Sequence, residues 1–590
     1  MERILRKGRG EERMKLILQY MKRYKGLVLL NILSVFGFAL VELGIPTLVS
    51  NMIDEGVLRQ DKGYLLQSGA VIAVISLIGV CGTILLGYCC AKISTAVTRD
   101  IRNDVFARVQ SFSHAEMNRF GVSSLITRTN NDAFQILTFM NVILRTALLT
   151  PVMIVVSFTL TISSSLELSL IIASTIPIIV IGVVAVGKAS APISERQQGS
   201  LDRLNRIFRE NLTGIRVIRS FNNDRHETER FDQENRFYMK QSRSLFKLMS
   251  STEPVFFLVM NMAALAIYYV AAGMIDADIL QVGKLVAFME YLFHAMLSVM
   301  LFCTVFMMYP RASVSAKRIQ AVLKTSSSVK EPQDPALLED IEEIAFDHVT
   351  FVYPDGEEAV LKDVSFTVRK GETIAFIGST GSGKSTLVSL VPRFYDVSDG
   401  TVRINQKDVR EYDLQQLRAK IGYVAQKAVL FRGSIADNIR FGKKDASSAE
   451  VEHAARVAQA YEFIDEKPQR FDERIVEGAT NVSGGQKQRL SIARALVRRP
   501  QIYIYDDSFS ALDFATDAKL RKELKEEVKD AIMMIVAQRV STIMDADRIV
   551  VLNEGKVAGI GTHSELLKSC QIYHEIAASQ LSEEELAYGK

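Results

Sequence analysis

The chain has 590 residues, 71 Lys+Arg against 67 Asp+Glu, and a formal net charge of +4. An apolar fraction of 48% and a mean hydropathy of +0.13 beside 23% charged residues exclude whole-chain disorder and point to two halves of unlike composition. A net +4 over this length is no basic footprint for nucleic acid. Five cysteines (Cys81, Cys89, Cys90, Cys303, Cys570) without C-x-x-C spacing imply neither a disulfide framework nor a structural zinc site.

Residues 1–25 carry nine Lys/Arg against three Glu. This basic stretch leads into a full-length apolar run with no cleavage-like site, so it reads as a cytoplasmic elbow rather than a signal peptide. Residues 14–25 have the pattern of an amphipathic interfacial helix. Apolar runs then follow at 26–49 (interrupted by Glu42), 69–91, 146–166, 168–187, 254–275 and 291–310. Six segments near the roughly 20 residues needed to cross the hydrocarbon core predict six membrane helices in a domain spanning 26–323. The segments between spans two and three and between spans four and five are rich in arginine. Two of the opposite connections carry little beyond Glu167, or Asp276, Asp278 and Lys284. The positive-inside rule then puts both termini in the cytoplasm. The two basic segments read as extensions of the membrane helices that turn through short helices, near 111–117 and near 213–221.

Serines and prolines mark 324–343 as a linker. From residue 344 to 590 short β-like runs alternate with helices, the pattern of an α/β domain with parallel strands. Within it, Gly378-Ser379-Thr380-Gly381-Ser382-Gly383-Lys384-Ser385 matches G-x-x-x-x-G-K-[ST] between a strand and a helix that begins near Thr386. The glycines let backbone N–H groups curl round a polyphosphate, Lys384 reaches its outer phosphates, and Ser385 offers a hydroxyl to Mg2+. The helix N-terminus adds a favourable dipole. The apolar strand 502–505 ends in Asp506-Asp507, and a carboxylate at such a strand tip is where these folds hold the metal, here Asp506.

Between these two motifs lies Ser483-Gly484-Gly485-Gln486. At this point the chain resembles the ATP-binding cassette transporters. Six spans ahead of one cassette resemble a half-transporter of the exporter branch, with ATP and Mg2+ as cofactors. The resemblance implies that Tyr353 stacks on adenine and that Gln426 senses the metal, alongside Ser385 and Asp506. It implies that Asp513 lies in a loop crossing to a partner, and that the signature acts on the partner's ATP. Two positions depart from the pattern. Asp507 stands where the family has its catalytic glutamate, and Gln538 where it has its switch histidine. A carboxylate one methylene short is misplaced for the attacking water, and an amide cannot become an imidazolium. The signature is intact apart from Val482, where leucine is usual. The expectation is a site that binds Mg-ATP and hydrolyses it slowly. The chain would be one half of a heterodimeric multidrug exporter in a bacterial plasma membrane, with a homodimer as the lesser reading. A peptide or bacteriocin exporter, a lipid exporter and a regulatory ATP-binding subunit stand as alternatives.

Amphipathic or hydrophobic small molecules are the expected cargo. Phe288, Met289, Phe293, Met296, Met300, Phe302, Phe306, Met307 and Met308 around span six suit either a promiscuous apolar cavity or ordinary helix packing. Glu290 and His294, one turn apart on that helix, are cargo or gating candidates that could equally satisfy each other, and Glu42 and Arg145 rank below them.

Overall fold

The computed structural model describes residues 15–582, without the side chains of Cys303, Thr304, Phe306 and Met307. Residues 1–14 of the elbow and the candidates Phe306 and Met307 therefore lie outside the described residues. The chain divides into two compact units, Met1–Gln110 with Ser123–Thr325, and Ser111–Val122 with Ser326–Lys590.

The membrane unit is helical. In chain order, with one short helix of the other unit between the second and third spans, the helices are α1 (Lys25–Asn51), α2 (Lys62–Gln110), α3 (His114–Phe120), α4 (Val122–Ser164), α5 (Leu166–Ser220), α6 (Asp224–Asp276) and α7 (Val282–Lys324). All except α3 hold a stretch long and apolar enough to cross a membrane. The 49, 55 and 53 residues of α2, α5 and α6 correspond to about 74–83 Å at 1.5 Å per residue, more than twice the hydrocarbon thickness of about 30 Å. The basic segments therefore continue the spans as unbroken helix. Ahead of α1, residues 15–21 form a helix that buries Leu16, Ile17 and Tyr20 while Leu18 stays exposed. The Tyr20 hydroxyl donates to Asp104 at 2.6 Å, and that of Tyr24 to Asp100 at 2.8 Å.

The turn between the third and fourth spans is Ser165 alone. Its Oγ accepts the Leu168 N–H at 3.4 Å and caps α5, two residues before the Glu167 that marks the break in the sequence. Residues 213–221 do not form a separate short helix, contrary to expectation. Gly214 is too weak a breaker to stop α5, which runs on to Ser220. The reversal is made at Asn222, in the left-handed region at φ 53°, before α6 starts at Asp224.

Outward faces of the spans carry large apolar side chains such as Leu40, Leu77, Ile181 and Tyr269. Such a surface is stable only against lipid or another apolar protein face. Inside, Phe288, Leu292 and Met296 of α7 pack with Leu168 and Ile172 of α5 and Ile267 and Ala271 of α6, with Met289 and Met300 against the same cluster. For these methionines and Phe288 the packing reading holds. Phe293 is exposed.

One polar contact pins the start of α7. Asp54, buried in a π-helical turn at Met52–Val57, accepts the Gly283 N–H at 2.7 Å. A Cβ on Gly283 would stand 2.2 Å from the Ser50 carbonyl oxygen and 2.6 Å from Asp54 Oδ2. Gly283→Ala should therefore lower the stability of the detergent-solubilised protein by about 1–3 kcal/mol, the usual cost of overpacking. Gly273→Ala, with nothing within 4 Å of the new methyl, should not. Equal melting temperatures for the two variants would show the contact to be slack.

The second unit is an α/β domain with a mixed sheet. Strands β1 (Glu343–Val352) and β2 (Ala359–Arg369) pair antiparallel, because the six residues between them are too few for a parallel crossover. The remaining named strands are β3 (Thr373–Gly378), β4 (Asp399–Ile404), β5 (Ile421–Val424), β6 (Ile502–Asp506), β7 (Ile532–Val536), β8 (Arg548–Asn553) and β9 (Lys556–Gly561). A six-stranded sheet runs in the order β9-β8-β3-β7-β6-β5, parallel throughout except for the β9 edge. Strands β6 and β7 are buried along their whole length, as expected when both faces are covered. Helix α3 groups with this unit. Its N-terminus is a capping box of Ser113 and Glu116, His114 stacks on Phe394 at 4.6 Å, and Asn118 donates to the Tyr395 hydroxyl at 3.3 Å. The first expected turn is thus a short helix packed within the second unit.

Candidate ATP site

Strand β3 delivers the chain into the glycine loop, and helix α8 (Lys384–Leu390) leaves it. Gly381 and Gly383 sit at φ 84° and 98°. A Cβ on Gly383 would approach Leu361 Cδ2 at 2.8 Å and the Val360 carbonyl oxygen at 2.9 Å, so the residue is fixed by sterics as well as by backbone angle. The Lys384 ammonium donates to the carbonyl oxygens of Gly378 at 2.9 Å and Ser379 at 2.8 Å. It folds over its own loop, in which the Ser382 N–H also donates to the Ser379 carbonyl at 3.2 Å. Burial lowers the Lys384 pKa, against the pull of Asp507 and Asp506.

The tip of β6 supplies the acidic side. Asp506 accepts the Ser385 hydroxyl at 2.6 Å and the Tyr423 hydroxyl at 3.2 Å. Burial raises its pKa, and the neighbouring Asp507 charge adds to the rise. Among the described residues no group of three or more His, Cys, Asp or Glu is placed to hold a metal unaided. A buried carboxylate joined to a serine hydroxyl is nevertheless the donor set that Mg2+ takes up when phosphate oxygens complete its shell. Ser385 and Asp506 fit that ion, with Gln426 beside them. It would neutralise charge on the phosphates.

Asp507 follows Asp506 directly and is 6% exposed. Its φ is 50°, a left-handed conformation that Asp tolerates better than most residues. Its N–H donates to Val536 at 3.0 Å, and its carbonyl accepts the Ser510 hydroxyl at 2.8 Å. One carboxylate oxygen, Oδ2, accepts two amide donors, Gln426 Nε2 at 3.1 Å and Gln538 Nε2 at 2.8 Å. The two departures noted in the sequence thus touch each other, and Gln426 donates to the same oxygen. Gln538 is braced from the C-terminal end, where Gln580 donates to its carbonyl at 2.9 Å and accepts the Val540 N–H at 2.8 Å.

Tyr353, after β1, meets the Thr386 hydroxyl at 2.8 Å and has Phe351 and Tyr395 against its ring at 4.9 and 5.3 Å. Ser483 is the N-cap of helix α9 (Gly484–Leu496), in a capping box with Gln486. Ser483 and Gly484 are exposed, whereas Val482 packs in the core. That explains why an apolar residue other than leucine is tolerated there. A Cβ on Gly485 would lie 3.2 Å from the Ala511 carbonyl oxygen, so the signature abuts the loop that leads to Asp513. Asp513 itself caps helix α10 (Phe514–Glu527) by accepting the Thr516 N–H at 2.9 Å.

Four contributors escape sequence reading. Tyr423 and Ser508 hold the acidic strand tip, the latter by donating to the Val424 carbonyl at 3.0 Å. Gln488 on α9 donates to the Gln426 carbonyl at 3.0 Å, tying the signature helix to the glutamine loop. Gln580 is too far along the chain for any local pattern to reveal it. In the membrane unit Glu290 is exposed, while His294 meets Glu42 at 3.5 Å across α1 and α7.

The comparisons agree with this geometry. Residues 28–300 match the ABC transporter transmembrane region family and residues 361–510 the ABC transporter family. An uncharacterized ABC transporter ATP-binding protein of Bacillus subtilis is 36% identical over 572 residues, 97% of this chain and 99% of the relative. A Mycobacterium tuberculosis protein of the same description is 36% identical over 570 residues, 96% and 98% of the two chains. An ATP-dependent lipid A-core flippase of Alkalilimnicola ehrlichii is 31% identical over 563 residues, 94% of each. A bacterial Atm1-family ABC exporter solved with ATP bound superposes with a TM-score of 0.78 at 25% identity, covering 95% of this chain and 99% of that one. The chain belongs to the ABC transporter family. It is a multi-pass membrane half-transporter of the exporter type, carrying its own ATP-hydrolysing cassette.

The buried carboxylate has a stability consequence. Burial raises the Asp507 pKa despite the amide and lysine contacts. The native state therefore holds this proton more tightly than the unfolded chain, and ionisation opposes folding. The stability contribution is full below the unfolded carboxylate value of about 3.9 and is lost as pH rises through the elevated native value. Asp507→Asn should raise the melting temperature of the nucleotide-free protein at pH 7.5, with the gain shrinking toward pH 4.5. A gain that does not change with pH would contradict the assignment.

Proposed function

We propose that this chain is the degenerate-site subunit of a heterodimeric exporter. It binds Mg-ATP at its own phosphate loop, hydrolyses it slowly, and lends Ser483, Gly484, Gly485 and Gln486 to a competent site on a second half-transporter. The observation that carries this reading is the double amide contact on Asp507 Oδ2. A general base must present a free lone pair to the attacking water within about 3 Å. Here both lone pairs of Oδ2 are taken by N–H donors, which fixes the carboxylate's orientation and leaves only Oδ1 for a water, and the shorter side chain has less reach. Displacement by about 1 Å from a productive geometry costs about 100-fold in rate. Gln538 donates to Asp507 and has no proton to exchange with a γ-phosphate.

In this reading ATP binding draws two cassettes together, Asp513 faces the partner, and the membrane helices pass from an inward- to an outward-facing state. Hydrolysis on the partner's side resets them. The exposed Ile215, Val217 and Phe221 at the end of α5 are the second coupling turn, suited to an apolar seat on the partner's cassette. The basic residues of 1–25 and of the long helical extensions favour cytoplasmic termini in a bacterial plasma membrane. Amphipathic or hydrophobic small molecules are the cargo class. The relatives named lipid A-core flippases favour a lipid cargo as the second reading.

ATP turnover by the purified chain in nanodiscs tests the proposal. The wild type should bind Mg-ATP yet turn over slowly, and Asp507→Asn should change the rate by less than about twofold. Rapid turnover abolished by Asp507→Asn would overturn it.

A further inference from the structure

Thr386 lies in the first turn of α8, two positions past the loop lysine Lys384, and is buried. A threonine inside a helix can return its hydroxyl to the carbonyl one turn back. Thr95, Thr98 and Thr138 of this chain do so, at 2.7, 2.7 and 3.0 Å. Thr386 does not. Its Oγ1 meets the Tyr353 hydroxyl at 2.8 Å, across 33 positions of sequence. Among the described residues neither hydroxyl has another partner.

The contact ties down the far end of a ring already held on its flanks. Tyr353 lies just beyond the end of β1, outside regular secondary structure. Phe351 stands edge-on to it at 4.9 Å and 82°, and Tyr395 at 5.3 Å and 89°. Tyr395 is itself anchored, its hydroxyl accepting Asn118 Nδ2 at 3.3 Å. Edge-on neighbours favour one orientation of an aromatic ring, and the hydroxyl contact adds a directional tie from that ring to the helix that leaves the phosphate loop. With Tyr353 as donor, Thr386 Oγ1 keeps its own proton, since a hydroxyl accepts one hydrogen bond while donating another. The tie is therefore compatible with a phosphate oxygen that takes up the Thr386 proton.

We propose that Thr386 is a positioning residue for the base of ATP. Its hydroxyl holds the Tyr353 ring in the orientation that stacks on adenine, so that the segment binding the triphosphate also sets the platform for the base. This inference rests on the reading of Tyr353 as the adenine-stacking residue and is independent of how fast the site hydrolyses ATP.

The test is calorimetric binding of Mg-ATP and of magnesium tripolyphosphate, which has no base, to the full chain in nanodiscs. Thr386→Val keeps the side-chain shape and removes the hydroxyl. It should weaken ATP about fivefold, the scale of one hydrogen bond, and leave tripolyphosphate unchanged, which also shows the loop to be intact. Thr386→Ser, which restores the hydroxyl, should recover most of the ATP affinity. Tyr353→Phe removes the same contact from the other end and should match Thr386→Val, and the double variant should bind ATP no more weakly than either. Equal losses for ATP and tripolyphosphate in Thr386→Val would place its hydroxyl on the phosphates alone and overturn the proposal, as would additive losses in the double variant. Tyr353→Leu separates the two readings. Loss of ATP affinity there with none in Thr386→Val would overturn the positioning role alone, whereas undiminished ATP binding by Tyr353→Leu would overturn it together with the stacking reading.

Discussion

The nucleotide site depends on how one short carboxylate is held. Asp507 leaves the buried strand β6 in a left-handed turn, and its Oδ2 receives the amides of Gln426 and Gln538 together. Each partner comes from a different element. Gln426 lies just past β5, and Gln538 lies between β7 and the short helix that follows. Both strands neighbour β6 in the parallel sheet, so the sheet itself brings the three side chains to one edge. Gln488 carries the arrangement to the signature helix, and Gln580 carries it to the C-terminal end. Removing the acceptor at Asp507 or the amide at Gln538 outright, as an alanine would, leaves an amide or a carboxylate in a buried pocket without its partner, a cost of about 1–3 kcal/mol. The two departures from the family pattern therefore form one compensated unit.

The membrane unit uses polar groups sparingly and in the same paired fashion. Asp54 caps the start of α7, Asp132 accepts the Ser315 hydroxyl at 2.9 Å with Arg318 beside it, and Glu42 meets His294. These contacts join helices far apart in sequence, where apolar packing against lipid alone gives little directional preference.

Much of this was legible in the sequence, for identifiable reasons. Charge-free runs of about 20 residues mark spans because a charge in hydrocarbon is costly. The glycine loop and the acidic strand tip are legible because phosphate chemistry demands those residue types at those spacings. Asp507 and Gln538 could be singled out as departures, but 31 positions separate them and nothing local says that their side chains bond. For the same reason Glu290 looked like the partner of His294 at helical spacing, whereas the contact is to Glu42 on another helix. The short helix expected near 213–221 was misjudged because Gly214 and the small polar residues around it resemble a break. In a helix 55 residues long, one glycine costs only about 1 kcal/mol and is overridden.

The account's central claim is that Asp507 and Gln538 together, and not the phosphate loop or the signature, limit hydrolysis. It is tested most directly by ATP turnover of the double variant Asp507→Glu, Gln538→His in the otherwise unchanged chain. Restoring the longer carboxylate and an imidazole should raise the rate at least about tenfold over the wild type, with Lys384→Ala abolishing the gain. A double variant no faster than the wild type would contradict the claim and move the limitation elsewhere in the transporter.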